Sequence, residues 1–216
     1  YLTAHAFRGK ARSLGAFIYE KHPVTAIDRK QSSWKVRTDL RSFEAPTLAN
    51  CAGAWGARIA SWFGDNVPLT PTPLTMMVTA RVQAFLKPVV GLVSRKLSFK
   101  QMPNGTVVIG GGHISKLFME KEKTEIDFAK LKISARTARD IFPLMKNVPI
   151  VRTWAGIEGI LPDQIPVIGP SPNATRVFHA FGFSGHGFQL GPIIGQILTD
   201  LITEGRSFLP IEAFRV

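Results

Sequence analysis

Apolar positions recur along this chain with two different periods, and the change from one to the other marks its elements. Residues 2–14 place Leu2, Ala6 and Leu14 near one side, with Arg8, Lys10 and Arg12 elsewhere, which predicts a helix stopped by Gly15. Ala16-Phe17-Ile18-Tyr19 reads as a short buried strand. Val24 to Ile27 and Trp34 to Thr38 read as two more, joined by a polar turn over 28–33. Pro46 to Ala52 is apolar enough for a buried parallel strand, and it runs into Gly53-Ala54-Trp55-Gly56 and a helix over 57–63 closed by Gly64. Prolines at 68, 71 and 73 mark a crossing. Beyond them Met76–Val82, Leu97–Gln101 and Thr106–Ile109 read as strands, with Pro103-Asn104-Gly105 as a hairpin turn. Glu122 to Phe142 predicts the clearest helix, with Ile126, Leu131, Ile133, Ala138 and Ile141 on its apolar face. Ile150–Ile157, Pro166–Gly169 and Val177–Phe181 read as strands, and Leu190–Glu204 as a helix ended by Gly205.

The pattern is a mixed α and β one, without internal repeat or low-complexity tract. Residues 67–161 read as an antiparallel sheet with one helix. Residues 1–66 and 162–216 read as pieces of a second, discontinuous domain completed by chain outside this sequence, since the start at Tyr1-Leu2-Thr3 carries neither Met nor a signal pattern. The length of 216 residues and an apolar content of 45% suit a packed core. The formal charge of +12 favours anionic partners, but the basic residues are scattered or, over 116–132, interleaved with Glu120, Glu122, Glu125 and Asp127. There is neither a basic helix nor an aromatic-basic platform, so nucleic acid is not the expected partner. The single cysteine, Cys51, excludes a disulfide within the chain and a Cys-based zinc site, and fits a reducing, cytoplasmic setting; in its strand it reads as a small buried packing residue. No apolar run is long enough for a membrane span. His5, His22 and His179 show no Cys, Asp or Glu at ligand spacing, so no metal is expected.

The most informative stretch is Ala180 to Pro192. A buried strand empties into Gly182-Phe183-Ser184-Gly185-His186-Gly187-Phe188-Gln189 and a helix begins. Glycine permits close approach of backbone to a flat or charged ligand. The helix start adds a partial positive charge suited to an electron-rich edge such as that of a reduced flavin. Spacing alone leaves a glycine-rich packing turn equally open.

Gly182 to Phe188 closely resembles the C-terminal flavin motif of the D-amino-acid oxidase and sarcosine oxidase superfamily. Asn50-Cys51-Ala52-Gly53-Ala54-Trp55 resembles the family's strand-to-helix turn near the FAD pyrophosphate, and Gly15-Ala16 with Val24 and Ile27 resembles the segment whose backbone meets the adenine at Val24. Arg152-Thr153-Trp154-Ala155-Gly156 with Pro162-Asp163, Pro166 and Ile168-Gly169 resembles the strand and turn that lead to the isoalloxazine. The blocks keep the family's order across nearly the whole chain. The resemblance implies part of a Rossmann-like FAD-binding domain together with an antiparallel-sheet substrate domain. The family's opening Gly-x-Gly-x-x-Gly turn has no counterpart here, and Gly110-Gly111-Gly112 lacks its spacing. The expected identity is therefore the C-terminal part of such an enzyme.

Departures from the family pattern narrow the implied chemistry. The position of a covalent flavin-linking cysteine corresponds to Gly156, so FAD is expected to be non-covalent. Two cations that hold substrate carboxylates in relatives correspond to Gln189 and Glu158. Trp-Ala-Gly-Ile-Glu-Gly followed by Pro-Asp resembles opine oxidase and amine dehydrogenase β subunits, which implies an N-substituted basic amino acid with Glu158 holding its cationic arm; a solvent-facing Glu158 is the other reading. The implied cofactor contacts are Val24, Ala52, Gly53, Ala54, Trp55, Gly182, Gly185, His186, Gly187, Phe188 and Gln189. The implied substrate pocket takes Glu158, Trp154 and His113; a core place for Trp154 and a plain loop place for His113 stay open. No side chain is assigned a catalytic role, since in this family the flavin does the redox work. The implied activity is hydride transfer from an amine or amino acid to FAD, with re-oxidation by oxygen or another redox subunit. The rival is a non-catalytic subunit-contact fragment that binds no flavin alone.

Overall fold

A computed structural model describes residues 2–214 and 216 of the chain, and its Cα packing separates two compact units, divided after Leu48. The first unit holds α1 (Leu2–Ser13) and an antiparallel sheet of β1 (Val24–Arg29), β2 (Trp34–Thr38) and β3 (Ser42–Ala45), in that order. Residues 16–19 do not form the expected buried strand. They have no strand to pair with, Phe17 is 85% exposed, and the Tyr19 ring instead packs at a tilt against Phe43 with centroids 4.7 Å apart. The strand that does form is β3, after a tight turn in which Thr38 accepts the Arg41 N–H through its hydroxyl and donates to the Arg41 carbonyl.

β4 (Leu48–Asn50) starts on the dividing residue, and the second unit runs on from it through a 3-10 turn (Gly53–Trp55) and α2 (Gly56–Ser61). It continues with β5 (Thr70–Thr79), β6 (Val90–Gly91), β7 (Ser98–Gln101), β8 (Val107–Gly110), β9 (Lys116–Phe118) and β10 (Lys123–Glu125). After these come α3 (Phe128–Ile141), β11 (Ile150–Ile160), β12 (Val167–Pro170), β13 (Val177–Phe181) and α4 (Gly187–Thr203). A five-stranded antiparallel sheet runs β11-β5-β8-β7-β6, β9 and β10 form a hairpin, and β12-β13-β4 form a separate sheet. Among the described residues no helix is long and apolar enough to cross a membrane.

β5 starts six residues before the expected strand, passing through Pro71 and Pro73. The register explains the tolerance. The Pro73 carbonyl accepts from Ser115 N–H at 2.9 Å and Thr75 N–H donates to the His113 carbonyl at 2.8 Å, so odd positions point their backbone groups away from β11. Each proline thus lacks an N–H only on the sparsely paired side of the strand. α3 starts six residues later than expected because Asp127 caps it, accepting the N–H groups of Ala129 and Lys130 at 3.0 and 3.1 Å. Its buried face is Leu131, Ser134, Thr137 and Ala138, and Ile133 is exposed. Pro46–Ala52 shortens to three strand residues in which only Asn50 is buried, and Cys51 is exposed, contrary to its expected packing role.

Two apolar layers result. Met77, Phe99, Val107 and Ile109 of the large sheet pack under Leu131 and Ala138 of α3. Ile194, Ile197, Leu198 and Leu201 of α4 pack on Ile168 of β12 and Ala180 of β13. Between them Ala60, Leu161, Val167 and Phe181 form a smaller cluster that ties α2 to the end of β13. Gly56 makes that approach possible, since a Cβ there would collide with the Phe181 ring.

Candidate functional site

Two of the expected ligand segments converge on Gly159 of β11. Ser184 N–H donates to the Gly159 carbonyl at 3.2 Å, and a Cβ at Gly159 would lie 3.2 Å from the Gly53 carbonyl. The 52–55 turn and the 182–189 segment are therefore neighbours across one strand end. Ala52 and Trp55 are half-buried and Gly53 is exposed, with nothing within 4 Å of its Cβ position and φ at +55°. Ala54 is buried, so its side chain packs inside the turn.

The 182–185 loop is held in left-handed backbone: φ is +77° at Gly182, +50° at Ser184 and +91° at Gly185. Ser184 stabilises its own unusual conformation, its hydroxyl donating to the Gly182 carbonyl and accepting Leu161 N–H, both at 3.2 Å. Gly187, Phe188 and Gln189 belong to the first turn of α4. Their N–H groups have no partner inside the helix by geometry. His186, exposed at the cap position, offers no side-chain cap bond, and the first turn carries no acidic residue. A 17-residue helix thus presents an end uncapped by its own side chains beside a loop of left-handed glycines. That arrangement fits a flat ligand with an electron-rich edge. Phe188 is 75% exposed, and Gln189 is exposed as well.

The pleat sorts the substrate candidates. Residues opposite one another in an antiparallel pair share a face. Thr153 opposes Met77, which packs under α3, so Trp154, opposite Met76, and Glu158, opposite Thr72, project from the other face of the sheet. Both are half-buried there, and Gly156 between them leaves the space around its Cβ position open. Arg152 shares the face, its guanidinium carbon 5.9 Å from the Trp154 ring centroid. Glu158 reaches the glycine loop: its Oε2 lies 3.6 Å from a Cβ position at Gly185.

His113 does not join them. The bridge of Ile114 to Leu74 puts Ile114 on the open face and His113 on the α3 side. Burial, then Lys96 and Lys130, push its pKa down. Val24 opens β1 in the first unit.

Sequence reasoning missed the partner of His179. Its ring is fully buried in β13, with Nε2 2.8 Å from Asp65 Oδ2. The signal was available: a histidine inside Val177-Phe178-His179-Ala180-Phe181 is sealed in apolar surroundings and requires a polar partner. Burial pushes the Asp65 carboxyl up, but hydrogen bonds from Ser171, His179 and Asn173 outweigh it and hold its pKa below the ordinary aspartate value. A depressed carboxyl contributes stability that is present above the unfolded pKa and lost as pH falls through the folded one. Asp65→Asn is accordingly expected to be less stable than the parent chain at neutral pH, with the gap narrowing below about pH 4. Denaturant unfolding at a series of pH values checks this, and a gap that widens in acid would refute it.

The profile of the DAO family, described as FAD dependent oxidoreductase, matches residues 1–201. The chain is 28% identical over 217 residues to hydrogen cyanide synthase subunit HcnC of Pseudomonas aeruginosa, covering 99% of this chain and 51% of that protein. It is 25% identical over 206 residues to mitochondrial sarcosine dehydrogenase of Mus musculus, covering 89% of this chain and 22% of that one. L-proline dehydrogenase from P. horikoshii superposes with a TM-score of 0.90 at 26% identity, over 99% of this chain and 57% of that chain. The chain therefore spans about a fifth to about half of these curated relatives. With the profile covering nearly its whole length, the chain belongs to the DAO family of FAD-dependent oxidoreductases.

Proposed function

We propose that this chain forms the flavin-facing and substrate-facing part of an enzyme that oxidises an amine or an N-substituted amino acid. FAD is the cofactor of the family. The observation that carries the reading is the meeting of three features at the end of β11: the left-handed Gly182–Gly185 loop, the uncapped start of α4, and Glu158 against Gly185. In this reading the Ala52–Trp55 backbone and the Gly182–Gln189 segment hold FAD without a covalent link. When bound, FAD supplies the two-electron acceptor for hydride removal from the carbon beside the amine.

The chain's own residues then orient the substrate. Trp154 and Met76 line an apolar wall on the open face of the sheet. Glu158, half-buried at the mouth of the glycine loop, accepts a charge-assisted hydrogen bond from a cationic arm of the substrate. The exposed Gln189 stands in the first turn of α4 and is neutral, so it orients a substrate group by hydrogen bonding alone. HcnC is named as a subunit, which supports a setting with further subunits for this chain.

Anaerobic addition of candidate amines to the flavin-loaded protein tests the proposal by bleaching of the flavin absorbance. N-substituted basic amino acids are expected to bleach it faster than neutral ones. Glu158→Gln is expected to raise the concentration needed for half-maximal bleaching about tenfold, the loss of roughly 1.4 kcal/mol of charge-assisted bonding. Equal rates with basic and neutral substrates would remove the role given to Glu158. A second reading, a chain that serves subunit contact and binds no flavin alone, is supported by the naming of HcnC as a subunit, and it is the outcome if the folded chain takes up no FAD.

A further inference from the structure

Below the turn at Gly53–Trp55 lies a line of buried polar side chains: Asp65, His179 and Asn50, respectively 1%, 0% and 6% exposed. Asn173 Nδ2 donates to Asp65 Oδ1 at 2.9 Å, and Asp65 Oδ2 faces His179 Nε2 at 2.8 Å. His179 Nδ1 faces Asn50 Nδ2 at 3.2 Å. Asn50 Nδ2 also donates to the Gly56 carbonyl at 2.9 Å, and Asn50 Oδ1 accepts Ala52 N–H at 3.2 Å. Phe63 and Phe181 pack beside the imidazole, with centroids 6.2 and 5.6 Å away.

Only one proton arrangement satisfies this line. A carbonyl can only accept and an amide N–H can only donate, so Gly56 and Ala52 together fix which end of the Asn50 amide is nitrogen. That nitrogen has two hydrogens: one serves Gly56 and the other points at His179 Nδ1. Nδ1 must therefore be the acceptor, and the imidazole proton must sit on Nε2, donated to the Asp65 carboxylate. An imidazole protonated at Nδ1 would oppose N–H to N–H and favour reversal of the Asn50 amide. Reversal would release Ala52 N–H and set oxygen against the Gly56 carbonyl.

We propose that Asp65, His179 and Asn50 are positioning residues for the cofactor site: Asp65 selects the His179 tautomer, His179 fixes the Asn50 amide, and Asn50 grips both ends of the Gly53–Trp55 turn. The proposal rests on the reading of that turn as flavin-facing. The line also joins the two ligand segments, because His179 stands in β13, which continues directly into Gly182. An ordinary buried network would only stabilise the fold. A relay also transmits a change at residue 65 to the backbone of 52–56 through a change in imidazole protonation.

The test uses nitrogen-15 NMR of the whole chain, reading the His179 ring nitrogens and the backbone amides of 52–56. The parent protein is expected to show a neutral imidazole protonated on Nε2 at neutral pH. Asn50→Asp removes the donor facing Nδ1 and is expected to convert His179 to the doubly protonated ring. Asp65→Asn is expected to disturb the tautomer and shift the 52–56 amides while those of the five-stranded sheet stay in place, which also shows that the variant folds. His179→Asn keeps an acceptor near the Nδ1 position and is expected to restore the 52–56 amide positions that His179→Leu displaces. A parent imidazole protonated on Nδ1, or 52–56 amides indifferent to Asp65→Asn, would overturn the relay. FAD affinity is expected to fall at least about tenfold in Asp65→Asn. A parent chain that takes up no FAD would count against the proposed function, while the tautomer and amide shifts would still decide the relay.

Discussion

Gly56→Ala is expected to destabilise the chain by about 3 kcal/mol and to lower its melting temperature by roughly 6–12 °C. A Cβ at residue 56 would stand 2.6 Å from Phe181 Cβ and 2.7 Å from Cδ1, with Cγ also inside the forbidden range. The ring cannot step aside, because Phe181 is fully buried among Ala60, Leu161 and Val167. α2 must therefore lift from β13, which opens a void in a cluster packed to crystal-like density. The carbonyl of Gly56 would move with it, away from Asn50. Gly195→Ala is the contrast. Gly195 lies inside α4 with nothing within 4 Å of its Cβ position, so alanine there is expected to add about 0.5–1 kcal/mol through helix propensity. Thermal melts of the two variants check both signs, and a Gly56→Ala protein as stable as its parent would show that α2 does not pack as described.

Gly182→Ala is expected to weaken FAD binding at least about tenfold. Two costs combine at this position. Left-handed backbone, with φ at +77°, costs a residue with a Cβ about 1–2 kcal/mol. The new Cβ would also stand 2.6 Å from Leu161 Cδ1 and 3.0 Å from Cγ. Leu161 N–H is the donor to the Ser184 hydroxyl, so any shift of Leu161 pulls on the loop that aims the start of α4. Adding Leu161→Val removes the obstructing methyl and is expected to return part of the affinity, leaving the backbone cost. Fluorescence titration with FAD reads both variants. Unchanged affinity in Gly182→Ala would mean that the loop conformation does not matter to the cofactor.

Much of this site was legible in the residues because glycine and proline are placed for backbone reasons that show in sequence. The strand Val177–Phe181 and the glycine loop after it appear as expected, the helix beyond starts three residues before the expected Leu190, and 52–55 forms the turn its small residues suggested. What failed depends on pairing and capping partners, near or distant in sequence, that the hydrophobic pattern does not show. Ala16–Tyr19 has strand-like residues but no neighbour to pair with. β3 forms because β2 supplies an edge, and Pro71 and Pro73 are tolerated because of how β5 meets β11 and the 113–115 segment. The start of α3 was misplaced because the Asp127 cap outweighs the helical appearance of 122–126. His113 was assigned to the substrate side from its glycine-rich neighbourhood, but the register of one bridge puts it on the opposite face. The Asp65–His179 pair was missed because its members are 114 residues apart.

The most direct test of the central claim is an FAD titration of the uniformly nitrogen-15 labelled chain, followed by backbone amide shifts. The expected result is a saturable response concentrated in Ala52–Trp55 and Gly182–Gln189, with Glu158 at its margin and the α3 side of the large sheet unmoved. A saturable response centred elsewhere, or none from a chain whose spectrum shows it folded, would contradict the assignment of these two segments as a flavin site.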